Sequence, residues 1–181
     1  MMEIRKGSLA DIPQIVRIYE HILDEEEQGS AVTGWIRGVY PTEQTALEAL
    51  EAKELFVLQT DGTVAVAARI NQVQVPEYAH ASWEFPDAPK EQIMVLHTLV
   101  VDPAFAGRGY GSRFVEFYEQ YAKERGCLYL RMDTNARNQA ARRLYRHLGY
   151  REAGIVPCEF NGIPEVQLVC LEKALKQKNK E

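Results

Sequence analysis

The chain has 181 residues, 46% of them apolar in type, and a formal net charge of −5 at pH 7; that is the size of one compact domain burying roughly 70% of its unfolded surface. Its longest apolar run, IMVLHTLVV, is far short of the roughly 20 residues of a membrane span, and the start MMEIRKGSLAD lacks the apolar stretch of a signal peptide, so a cytoplasmic protein is expected. The charge is unevenly placed: residues 106–151 hold ten basic and four acidic side chains against 11 and 22 elsewhere, a local patch for a compact polyanion or a solvated helix surface, whereas the acidic remainder argues against nucleic acid.

MEIRKG reads as a short strand. SLADIPQIVRIYEHIL carries apolar residues at helical spacing, with Ser8 and Asp11 as a capping box, before the polar DEEEQGS. AVTGWIRGVYP is aromatic and punctuated by glycine, and TEQTALEALEAK is a second helix capped by Thr42. ELFVLQT and TVAVAARINQVQV flank an Asp61-Gly62 turn, the clearest hairpin signal in the chain. A loop, YAHASWEFPDAPKEQ, leads into a buried strand at 93–101. The next helix spaces Phe114, Phe117, Tyr118 and Tyr121 and stops at Gly126. LYLRMDT is a strand, NQAARRLYRHLG a helix with the stripe Ala141, Leu144, Tyr145, Leu148, and VQLVCLE a last strand. Cys127, Cys158 and Cys170 are odd in number and set among apolar residues, which suits reduced thiols; no CxxC or HxxxH pair suggests a metal site.

That order predicts a mixed α/β fold: an antiparallel hairpin, then strand, helix, strand, helix, strand, in one sheet with helices on both faces. The strand ending at Val101 and the one from Leu128 should run parallel through a right-handed crossover. The loop VDPAFAGRGYGSR then lies between a strand end and a helix start, where free backbone N–H groups and the helix dipole favour an anion. Its glycines, 107, 109 and 111, fit neither the GxxxxGK[ST] of a nucleotide-triphosphate loop nor the GxGxxG of a dinucleotide fold. Three glycines cost backbone entropy that an ordinary turn does not require, which points to a phosphate cradle.

LVVDPAFAGRGYGSRFV resembles the acetyl-coenzyme A binding motif of the GCN5-related N-acetyltransferases (GNAT). NQAARRLYRHLGY resembles the second motif of that superfamily, NxxAxxLYxxxGF, through Asn138, Ala141, Leu144, Tyr145, Gly149 and Tyr150. The resemblance covers residues 2–172, taken as one domain (1–172) with a frayed charged tail at 173–181. It implies a mostly antiparallel sheet with one splayed parallel pair. The family's first motif usually begins with glutamine or arginine where this chain has Ala106, and Arg108 is the nearest replacement.

The resemblance assigns the pyrophosphate of acetyl-coenzyme A to the backbone of Gly107, Arg108, Gly109, Tyr110, Gly111 and Ser112. Leu99 and Val101 would bond the pantetheine arm, with Asn138 and Ala141 beside it, and Arg142 or Arg143 would meet the 3′-phosphate. Tyr145 matches the tyrosine beside the thioester sulfur, although its apolar stripe equally suits a core residue. The glutamate that many relatives carry on the strand before the loop would fall at Val95. His97, on the same face, is therefore the first candidate base, equally readable as a buried structural histidine; Glu84 is second and Asp133 third. Trp35, Tyr40, Tyr78 and Trp83 would wall an acceptor pocket or merely cover the core.

The expected activity is direct transfer of an acetyl group to a primary amine of a small molecule, with no metal, no membrane, and a homodimer as in many relatives. Acetylation of a protein N-terminus or lysine is the enzymatic alternative. A non-catalytic acyl-coenzyme A binding or sensing module is the other.

Overall fold

In the computed structural model, which describes residues 1–176, seven strands form one sheet in the order β1-β2-β3-β4-β5-β7-β6. They are β1 (Met2–Lys6), β2 (Leu55–Thr60), β3 (Thr63–Asn71), β4 (Ile93–Val101), β5 (Tyr129–Asn135), β6 (Arg151–Phe160) and β7 (Ile163–Ala174). Four helices, α1 (Ile12–Glu27), α2 (Glu43–Glu51), α3 (Tyr110–Glu124) and α4 (Gln139–His147), cover its two faces. All neighbouring strands are antiparallel except β4 and β5, so the expected mixed, mostly antiparallel α/β fold is the one observed. Among the described residues no helix is long and apolar enough to cross a membrane.

Alternation along the strands sorts the core into layers. Phe56, Leu58, Met94, Leu96, Leu130 and Met132 pack under α3 and α4 against Phe114, Tyr118 and Tyr145. Leu55, Val57, Val64 and Ala67 face the opposite way onto Ile15, Ile18 and Tyr19 of α1 and Ala46 of α2. Farther along that second face Ile93, Val95, Leu168 and Cys170 are covered by Tyr78 and Trp83. All three cysteines are free thiols.

Three elements differ from the sequence expectation. α1 continues through Asp24 to Glu27 because its acidic last turns have a partner: Arg37 forms ion pairs with Glu20, Asp24 and Glu27. β6 is a strand that the sequence did not suggest. Gly154 and Pro157 break its pattern, and both are tolerated because β6 is the sheet edge, where a missing N–H faces no partner. β7 runs to Ala174, taking in two residues assigned to the tail; the rest of that segment from Gln177 lies outside the described residues.

The sheet opens at its centre. β4 pairs with β5 only at Ile93, Met94 and Val95, opposite Tyr129, Leu130 and Arg131. Beyond this point the strands diverge. The Tyr118 hydroxyl caps the end of the ladder, donating to Met94 O at 2.7 Å and Arg131 O at 3.3 Å. On the other side of β4 the register against β3 shifts: Ala67 faces Val100 while Arg69 faces His97, so β4 carries one extra residue. Thr98 sits in that bulge at φ +52°, a conformation unusual for a β-branched residue and held only where surrounding structure imposes it.

Candidate active site

Two cavities occupy the opening. The first, about 160 Å³, is lined by Thr98, Leu99 and Val101 of β4, Asp133 and Asn135 beyond the paired part of β5, and Asn138, Ala141 and Tyr145 of α4 and its start. The second, about 370 Å³, is lined by Arg69, His97, Glu48, Thr45, Val73 and Val75. Tyr40, Thr98, Asp133, Phe160 and Asn161 line both, so these residues form a common wall. The Tyr40 hydroxyl bonds the Thr98 hydroxyl across it. The segment carrying Tyr40 is tied down from α1, where Glu26 accepts from Thr33 N at 2.8 Å and Gly34 N at 3.0 Å. Gly34, at φ +75°, passes so close to β5 that a Cβ would meet Asn135 Nδ2 at 2.5 Å.

The glycine loop lies where the sequence placed it, with one refinement: Tyr110, Gly111 and Ser112 are already the first turn of α3. Gly107 and Gly109 have φ of +75° and +74°, which glycine adopts without strain. The backbone N–H groups from Gly107 to Ser112 have no protein acceptor among the described residues, and the first to find one is Arg113 N, bonded to Gly109 O at 3.1 Å. Unpaired N–H groups converging on the start of a 15-residue helix are what a pyrophosphate requires. The loop is anchored upstream by buried Asp102, whose Oδ1 lies 3.0 Å from Ala104 N and 3.0 Å from His21 Nδ1. Arg108 stacks on Phe105 at 5.1 Å, and Ala106 is exposed. Nothing in the structure explains the alanine there.

On α4, Asn138 caps the helix, accepting from Ala141 N at 3.1 Å, so only its amide N–H₂ is left for a ligand. Arg142 is committed to Glu152, through bonds of 2.7 and 2.8 Å, which leaves the exposed Arg143 as the arginine of the pair without a partner among the described residues. Both readings of Tyr145 meet in one residue. Its ring packs in the core, edge-on to Tyr150 at 6.1 Å, while its hydroxyl makes no protein hydrogen bond among the described residues and the side chain lines the first cavity. Burial, then the Asp133 charge, pushes the phenol upward, so it is a proton donor at neutral pH.

The base candidates separate by position. Glu84 is exposed and reaches neither cavity; its backbone N–H bonds buried Glu172. His97 lines the second cavity only. Its Nε2 lies 2.7 Å from Asn71 Oδ1, which also accepts from Val73 N at 2.9 Å. That second bond identifies the atom as the amide oxygen, so the imidazole proton is on Nε2 and the lone pair on Nδ1. Burial, then the charge of Arg69, lowers His97 to about 4. Asp133 is in the wall shared by both cavities. Burial raises it to about 6, against the lowering effect of Tyr78, whose hydroxyl donates to Oδ2 at 2.7 Å, and with the aid of Glu77.

Of the four aromatics, Trp35 and Tyr40 line the first cavity. Tyr78 and Trp83 do not: Tyr78 is buried beneath Asp133, and Trp83 donates to Tyr78 O at 2.8 Å with Arg131 over its ring at 4.1 Å. Their segment covers the sheet because an apolar face there has no helix. Thr98, Arg69, Phe160 and Asn161 had no local signal; the bulge and the β6–β7 turn bring them in. Among the described residues no group of acidic, histidine or cysteine side chains could hold a metal.

Parallel strands prised apart beyond Val95 leave a groove between β4 and β5, beside a loop whose backbone N–H groups are unpaired among the described residues. The chain belongs to the acetyltransferase (GNAT) family, which it matches over residues 16–150. It is 33% identical over 67 residues to an uncharacterized N-acetyltransferase of Methanocaldococcus jannaschii, covering 37% of this chain and 30% of that protein. It is 40% identical over 60 residues to the N-alpha-acetyltransferase RimI of Mycobacterium tuberculosis, covering 33% of this chain and 36% of that one. Each match thus spans about a third of the relative's length. The fold is similar to that of a GNAT-family acetyltransferase from Streptococcus agalactiae, with a TM-score of 0.81, 21% identity, and 97% and 96% of the two chains covered.

Proposed function

We propose that the protein is an acetyl-coenzyme A dependent N-acetyltransferase acting on a primary amine of a small molecule, in a ternary complex. The observation that carries this reading is the common wall, which lets a donor in the first cavity meet an acceptor in the second. Acetyl-coenzyme A supplies an activated thioester. The N–H groups from Gly107 to Ser112 hold its pyrophosphate, Leu99 and Val101 its pantetheine arm, and Arg143 its 3′-phosphate.

An alkylammonium of pKa ~10.4 is only about 0.04% neutral at pH 7, so the site must remove a proton. Asp133, at about 6, is a better acceptor than His97, at about 4, by about 3 kcal/mol at ~1.36 kcal/mol per unit. It also touches both cavities. Asp133 therefore takes the proton, the Leu99 backbone N–H steadies developing negative charge on the carbonyl oxygen, and Tyr145 donates a hydrogen bond at the leaving sulfur. A thiol near ~8.5 does not require full transfer from this phenol, which burial holds above the usual ~10.

The relative named an N-alpha-acetyltransferase favours a second reading, acetylation of a protein N-terminus. A panel of small amines and N-terminal peptides, scored by thiol release, decides between them. Small amines should react and peptides should not, and Tyr145→Phe should lower kcat about 10- to 100-fold. If acetyl-coenzyme A raised Tm but nothing released thiol, the protein would be a binding module instead.

A further inference from the structure

The second cavity has one permanent cation in its lining, Arg69, and only one edge of it is used. Its Nε donates to Glu54 Oε2 at 2.6 Å, while its two terminal amino groups have no protein partner among the described residues. The side chain is 32% exposed, enough to be reached from the chamber. It is also held in place. Glu54 Oε2 accepts from Asn71 Nδ2 at 3.0 Å as well, and Asn71 in turn fixes His97. Arg69 and His97 are cross-strand partners, and His97 is neutral at physiological pH, so it adds no competing charge and no second anion site.

A guanidinium whose end-on pair of N–H groups is free presents two parallel donors, the match for a planar carboxylate. Position supplies the rest. Asp133 belongs to both cavities and Arg69 to the second alone, so an acceptor with its amine at Asp133 extends its far end into the chamber that Arg69 lines. We infer that the acceptor is an amino acid, an amine that also carries a carboxylate, and that Arg69 receives the carboxylate. This rests on the function proposed above. The opposite charge in the lining, Glu48 of α2, is exposed and bonded by Gln44 Nε2 at 3.2 Å; it would favour a diamine, which makes diamines the competing class.

The test uses the full-length protein and thiol release with matched acceptors: free amino acids, their methyl esters, their decarboxylated amines, and linear diamines. At least one amino acid should exceed its ester and amine about tenfold or more in kcat/KM. In Arg69→Gln the acid-to-ester ratio should fall by about 10- to 100-fold, and in Arg69→Lys, which keeps a charge, by less. The ratio cancels any loss of folded protein. Esters, amines or diamines equal to or better than the acids, or a ratio unmoved in both variants, would overturn the inference and leave the acetyltransferase reading standing. No thiol release from any acceptor, with acetyl-coenzyme A still raising Tm, would overturn both.

Discussion

The glycine loop and the second cavity are built differently. The loop is a run of consecutive residues, Gly107 to Ser112, whose backbone N–H groups have no protein acceptor among the described residues. It offers mainly backbone N–H groups, which recognise phosphate through conformation. The second draws single side chains from β3, β4, β5, α2 and the β6–β7 turn. It recognises by charge and shape, which one substitution can change. Backbone N–H groups tolerate side-chain change provided that φ is kept, whereas a lining of single side chains changes with each substitution.

Three substitutions probe that contrast. Asp133→Asn, in the shared wall, should have the largest effect, lowering kcat about 10³-fold. The same change should stabilise the protein at pH 8 by about 1 to 3 kcal/mol. Asp133 has a folded pKa of about 6, above the usual ~3.9 of the unfolded chain. Its contribution is therefore fully present below about pH 4 and lost as pH rises through about 6, and asparagine removes that loss. Urea melts at pH 4 and pH 8 measure it. The acid limb of kcat/KM should fall near pH 6 and vanish in the variant; a limb near pH 4 would return the base to His97.

Gly109→Val acts on the glycine loop alone. No atom lies within 4 Å of a Cβ placed there, so folding should lose only about 1 to 2 kcal/mol for the left-handed backbone. Affinity for acetyl-coenzyme A should fall at least about tenfold, because the N–H groups no longer converge. Wild-type affinity by calorimetry, with a lowered Tm, would show that the backbone conformation is not what binds the donor. Arg143→Ala should have the smallest effect, weakening coenzyme A about 3- to 5-fold while leaving dephospho-coenzyme A unchanged. Equal weakening of both would place Arg143 away from the 3′-phosphate.

The amino-acid sequence by itself determined the elements whose signals are local. The Asp61-Gly62 hairpin, the Thr42 cap, the strand at 93–101 and the helix stop at Gly126 all depend on neighbours within a few residues. The glycine loop and the Asn138 to Tyr150 motif are legible for the same reason. Only the tertiary structure decided the rest. β6 has no periodicity to read, since an edge strand is free to hold Gly154 and Pro157. The Thr98 bulge is a register shift between two strands and has no signature in either. Tyr78 and Trp83 suit a pocket wall or core cover in sequence, because aromatic character is the same for both uses; in the structure neither lines the two cavities and both pack over the sheet. Asp133, third among the base candidates by pattern, is the one of the three in the wall shared by both cavities; burial raises its pKa against the bond from the Tyr78 hydroxyl, 55 residues away along the chain. Recognition through backbone conformation is written in consecutive residues, while recognition through side-chain placement depends on which strands the fold holds apart.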